Sequence, residues 1–193
     1  SMEGIRCTGT IYMQGAFDNP YFLKCAFKAI YYIDVPAIKN AMIANCIVTN
    51  HVSIEGTCTM QILNCYIQEF FNYSDDAQAS LINCVIRPDH YNQSQPEYIA
   101  NSMLLNCIIC TTFTNSNSNY NNGYHSALPS TSFAKNCISI GFENLFKNSQ
   151  TNEGCTSASF EEVFKDFFGW NFELTDEAKT KYLGNDGTEV GMY

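Results

Sequence analysis

Asn-Cys dipeptides recur at Asn45-Cys46, Asn64-Cys65, Asn83-Cys84, Asn106-Cys107 and Asn136-Cys137, separated by 19, 19, 23 and 30 residues. A period near 20 with insertions is an internal repeat, and repeats of this length fold by stacking because one unit cannot bury its apolar side alone. Two residues before each Asn stands Ile43, Ile62, Leu81, Leu104 or Ala134, and two after each Cys stands Val48, Ile67, Ile86, Ile109 or Ser139. Four of the five copies therefore read apolar-x-Asn-Cys-x-apolar. The copies are rich in β-branched residues and carry no long helical period, which leaves room for two or three short strands and their turns in each. Cys25 and Cys7 extend the series upstream, with Lys24 and Arg6 in the Asn position, giving about seven coils.

Each residue type has a physical role in such a coil. The chain must bend sharply between strands, and Asn tolerates the left-handed conformation better than other non-glycine residues. Stacked Asn side chains can also donate to and accept from one another. Each Cys points inward as a small polarizable filler. Free, buried thiols are expected, since stacked side chains with parallel Cα–Cβ directions are poorly placed to bridge. Cys58, Cys110 and Cys155 lie off this ladder. The expected fold is all-β: a right-handed parallel β-helix over residues 1–158, interrupted by an Asn/Ser-rich insertion near 111–132. Residues 159–193 complete the same domain.

The repeat resembles the right-handed β-helix superfamily typified by pectin and pectate lyases, in which an Asn ladder and inward apolar stacks recur. The resemblance covers most of residues 5–145. Leucine-rich repeats share the period, but their regular leucines and helical segments are missing.

From Ser159 the period changes. Phe160, Val163, Phe164, Phe167 and Phe168 follow the spacing of one helical face, Ser159 with Glu162 forms a capping box, and Gly169 is a stop signal. A coil stack exposes its last core layer, so this helix is expected to bury five apolar side chains as a cap on the C-terminal end. No comparable lid stands at the N-terminal end, and the chain reads as the last part of a longer β-helix. The tail from Phe172-Glu173-Leu174 to Gly184-Asn185-Asp186-Gly187-Thr188-Glu189-Val190-Gly191-Met192-Tyr193 resembles the terminal signature of secreted or surface β-helix proteins of gut bacteria. That likeness implies an exported, cell-surface setting rich in glycans.

Ten Lys and Arg stand against 19 Asp and Glu, a net charge of −9. That balance argues against a nucleic-acid partner. No apolar run has the length of a membrane-spanning helix. Another feature of the repeat points to a partner: Ile47, Tyr66, Val85, Ile108 and Ile138 follow each Cys and alternate to the outside. An apolar stripe of that length calls for a covering segment, self-association or docking to another domain of a longer parent chain.

Candidate chemistry is sparse. Arg87, Asp89, His90 and Tyr91 form the one place where acid, base and aromatic types gather, on a loop after a ladder strand. Tyr120 and Tyr124 of the polar insertion are candidates for stacking on sugar rings. Asp75 and Asp76 are candidate calcium ligands, because hard cations need clustered oxygens. The histidines lack metal-ligand spacing, and no pair of carboxylates is singled out for glycoside hydrolysis. The leading expectation is a non-catalytic glycan-binding or structural surface module. The alternative is a polysaccharide lyase or glycoside hydrolase acting in a lateral groove.

Overall fold

The computed structural model describes all residues except 14–16, 73, 91–92, 95, 113–126, 185–186, 188–189 and 192–193, with backbone alone for 17, 31–38, 55, 89–90, 93–94 and 97. They form a right-handed parallel β-helix of about six turns with partial coils at its ends. Two faces meet at the Asn corner. Upstream of it stack Tyr21–Leu23, the ends of Ala26–Ala44 and Ile47–Leu63, then Gln78–Ile82, Ser102–Leu105 and Phe133–Lys135. Downstream stack Arg6–Met13, the beginnings of the same two long strands, then Tyr66–Asn72, Val85–Ile86, Ile108–Cys110, Ile138–Ile140 and Thr156–Ala158.

At the corner, Asn45, Asn64, Asn83, Asn106 and Asn136 all have φ between 49 and 54°. Each is left-handed, as the repeat requires. The side chains ladder in part: Asn64 Nδ2 donates to Asn45 Oδ1 at 3.2 Å and Asn106 Nδ2 to Asn83 Oδ1 at 3.1 Å. A second corner is built the same way from Asn19, Asn40 and Asn101, with Asn40 Nδ2 donating to Asn19 Oδ1. Its alternation with Thr59 and Thr131, whose hydroxyls accept the Asn40 and Asn101 N–H groups, hides it from a search for repeated dipeptides.

The positions flanking each Asn-Cys are core as expected. Ile43, Ile62, Leu81, Leu104 and Val48, Ile67, Ile86, Ile109 are fully buried. Ser139 breaks the pattern because its hydroxyl meets that of Ser157 in the terminal coil, at 2.8 Å. All ten cysteines are free thiols. They do more than fill: the N–H of Cys25 donates to Cys46 Sγ and that of Cys46 to Cys65 Sγ, both at 3.3 Å. Each inward-pointing N–H thereby finds an acceptor one coil on, which an aliphatic side chain could not supply. Away from the column, burial pushes the Cys58 thiol from 9.0 up to about 11.

The ladder's ends need correction. Ala26 N–H donates to Ile5 O just as Ile47 N–H donates to Cys25 O, and Gly4, at φ 66°, occupies the corner. Ile5 therefore holds the first inward position, while Cys7 pairs in register with Phe27. At the other end Ile138 pairs with Thr156, which puts Cys155 on the ladder after Gly154. An Asn136 oxygen would lie 2.1 Å from a Cβ at Gly154, so at the last corner glycine lets the Asn136 side chain keep its place.

Residues 159–193 also depart from expectation. The capping box is present, with Glu162 N–H donating to Ser159 Oγ and Ser159 N–H to Glu162 Oε2. The helix it starts, α1, ends at Val163 (Phe160–Val163). Phe164–Asp166 then pairs antiparallel with Asn171–Leu174 as a hairpin, followed by α2 (Asp176–Lys181). A helix this short has little stability of its own, and tertiary burial decides its length. The described residues of the segment join a cluster of their own, apart from the main core that Phe142, Leu145 and Phe146 complete. The segment lies as an arm along the downstream face, and Val163, Phe164, Phe167, Leu174, Ala178, Tyr182 and Val190 pack on Tyr66, Val85, Ile108 and Ile138. From Tyr66 to Ile138 the outward stripe is thus covered by the chain itself. Phe168, expected to be buried, is 66% exposed.

Two glycines let the tail approach closely. A Cβ on Gly184 would stand 2.5 Å from the Asn106 amide, and one on Gly191 (φ 96°) 2.7 Å from Ile108 Cδ1. Gly191 N–H also donates to Asn106 O.

Candidate functional site

The arm covers the downstream stripe only as far as Tyr66. Its hairpin turn stops there, with the Trp170 ring 5.5 Å from that of Tyr66. Beyond it the stripe continues through Ile47, Ala26 and Arg6, which are paired in register. This uncovered stretch is the floor of an open groove of about 810 Å³. Ala26 and Ile47 make its apolar base, Arg6 and Lys28 supply two cations, Asn50 and Gln68 supply amides, and Trp170 forms one wall. No carboxylate lines it among the described residues.

The wall is built with care for position. Phe172 stacks on Tyr66 with ring centres 4.6 Å apart and planes at 20°, and Trp170 meets Phe172 edge-on at 6.0 Å. The turn is tied by Gly169 N–H donating to Asp166 Oδ1 and Trp170 N–H to Phe167 O. Trp170 itself has φ 63°. A bulky side chain in the left-handed region costs roughly 1–2 kcal/mol, which marks an over-determined position. Despite that cost its indole stays 56% exposed.

Behind the groove lies a buried acid–base pair. His51 Nδ1 stands 4.0 Å from Glu69 Oε2, with the residues 8% and 5% exposed. The same nitrogen lies 2.9 Å from Asn50 Oδ1, so the groove-lining amide is held by the histidine.

Of the residues singled out in the sequence, Arg87 is half-buried and its Nη2 donates to Thr112 Oγ1 on the next coil at 2.9 Å. Asp89 and His90 form a two-residue strand paired with Gln93–Ser94, and their side chains lie outside the described residues. Tyr91, Tyr120 and Tyr124 lie outside them entirely. Asp75 and Asp76 are exposed on a turn organised by Asn72, whose Oδ1 accepts from Ser74 N–H and whose Nδ2 donates to Ala77 O and Ala100 O. Among the described residues no group of three His, Cys, Asp or Glu is placed to hold a metal. No helix there is long and apolar enough to cross a membrane.

The groove residues were not singled out in the sequence. Arg6, Lys28, Asn50 and Gln68 come from four successive coils at repeat-like spacings of 22, 22 and 18, but they differ in type, and Trp170 comes from the arm. The signal available was Trp170, the single tryptophan of the chain, beside a glycine in an aromatic run. Comparison with known protein families, characterised proteins and solved structures returns no match.

Proposed function

We propose that this chain is a non-catalytic glycan-binding module whose sugar-binding surface is the groove at the arm's hairpin turn. The observation that carries the reading is Trp170, held in a strained conformation and yet left 56% exposed against the groove. An amphipathic ring presented on a rigid support gives large contact area at little entropy cost, and the neighbouring Asn50 and Gln68 amides can exchange hydrogen bonds with hydroxyls. An exported or cell-surface setting is supported by the resemblance of the Gly184–Tyr193 tail to surface β-helix proteins of gut bacteria, and a glycan ligand by the likeness of the coil to pectin and pectate lyases.

Binding without turnover is favoured because hydrolysis uses two carboxylates flanking the scissile bond, and the described groove lining has none. The enzyme reading draws on the His51–Glu69 pair behind Asn50, an acid and a base within one side chain of the groove.

The test is a glycan array coupled to assays for reducing ends and unsaturated products. Binding without product is expected, and Trp170→Ala is expected to weaken it about tenfold or more with the melting curve unchanged. Product formation by the wild type, or full binding by Trp170→Ala, overturns the reading.

A further inference from the structure

The hairpin turn that places Trp170 against the groove displays a second aromatic on its other side. Phe168 is 66% exposed, with its ring against Phe160 at 5.2 Å and Phe167 at 5.6 Å. It borders a separate cleft of about 250 Å³, which Phe160, Glu161, Lys165 and Asp166 also line. The arm docks chiefly through Val163, Phe164, Phe167 and Leu174, while Phe168 and Trp170 keep more than half of their surface open to solvent. Both sit on one stiff turn, where an oxygen of Asp166 would fall 2.1 Å from a Cβ at Gly169.

The two clefts differ in charge. Arg6 and Lys28 line the Trp170 side. On the Phe168 side Lys165 is taken up by Glu173, which leaves Glu161 and Asp166 facing the cleft. A polyanion attracted by the first is repelled by the second, and a polycation the reverse.

Resting on the groove reading above, we infer that Phe168 forms a distal subsite for the same ligand and that this ligand is a neutral glycan long enough to cross the turn. A neutral, hydroxyl-rich chain suits both charge environments, and the rigid turn presents its two rings as successive stacking platforms at little ordering cost.

The experiment is calorimetric titration of the full chain with neutral gluco-, galacto-, manno- and xylo-oligosaccharides from disaccharide to hexasaccharide. Galacturonate oligomers of matched length form the second arm. Phe168→Ala is expected to leave disaccharide binding unchanged and to weaken hexasaccharide binding about tenfold, while Phe168→Tyr restores it. Trp170→Ala is expected to weaken binding at every length. An equal effect of Phe168→Ala at all lengths, or none at any, overturns the subsite, and so does tighter binding of the galacturonates. If Trp170→Ala binds like the wild type, the groove reading itself fails.

Discussion

Tyr66, Val85, Ile108 and Ile138 point outward from the downstream face and are at most 2% exposed. Leu63, Ile82 and Leu105 point outward from the upstream face and remain half-buried, with Met42 and Met103 beside them each 36% exposed. Both rows follow from the same arithmetic: a fixed coil pitch turns any apolar position into a stripe, inside or out. Among the described residues the downstream stripe, built on Tyr66, Val85, Ile108 and Ile138, is the one that the arm covers. The difference separates what stacking alone stabilises from what a covering segment must complete.

Deleting the arm, by ending the chain after Ala158, is the largest test. Uncovering Tyr66, Val85, Ile108 and Ile138 forfeits burial worth about 1.5–3 kcal/mol per large side chain, a sum comparable to the whole stability of an ordinary domain. Light scattering and dye binding are expected to show self-association or loss of cooperative unfolding. A monomer with an unchanged melting curve would mean that the stack needs no cover.

A matched pair of truncations sharpens the contrast at smaller scale. Ile108→Ala, beneath the arm, is expected to cost about 2–5 kcal/mol, because it leaves a cavity under Gly191 and the tail. Leu105→Ala, one corner upstream in the same coil, is expected to cost about 1 kcal/mol, since its side chain is only partly buried. Urea denaturation of the two variants measures both. Equal costs would show that the upstream row is covered in solution.

The same division governs what the sequence disclosed. Inside the stack, each coil gives Asn and Cys the same surroundings, so the dipeptide repeats and the core columns could be read directly. The ends were misread because Cys7 and Cys155 each stand 18 residues from a ladder cysteine, and spacing alone cannot choose between them. The discriminating residues were Gly4 and Gly154, which take the corner where Asn is absent. The arm was misread because Phe160, Val163, Phe164 and Phe167 satisfy a helical period over few residues, while burial on a flat stripe favours a hairpin after one turn. The groove could not be read because its coil residues, Arg6, Lys28, Asn50 and Gln68, share a period but not a residue type, and its wall, Trp170, comes from the arm far along the chain.

The corner that divides the two faces supplies the smallest test, at Lys24. Its N–H donates to Ala44 O at 3.0 Å, as that of Asn45 donates to Leu63 O at 2.9 Å, and its φ of 52° matches the Asn corners. Lys24 therefore occupies an Asn position without the short amide that makes the left-handed conformation cheap. Substituting Lys24→Asn should relieve part of that cost and give Asn45 Nδ2 an acceptor, repeating the bond that Asn64 makes to Asn45. A gain of about 0.5–1 kcal/mol is expected, read as a rise of roughly 1–4 °C in the melting temperature. Lys24→Gly should recover the conformational part alone. If both variants melt below the wild type, corner strain is not what limits the first coils, and the lysine stem must contribute more to the upstream face than an amide could.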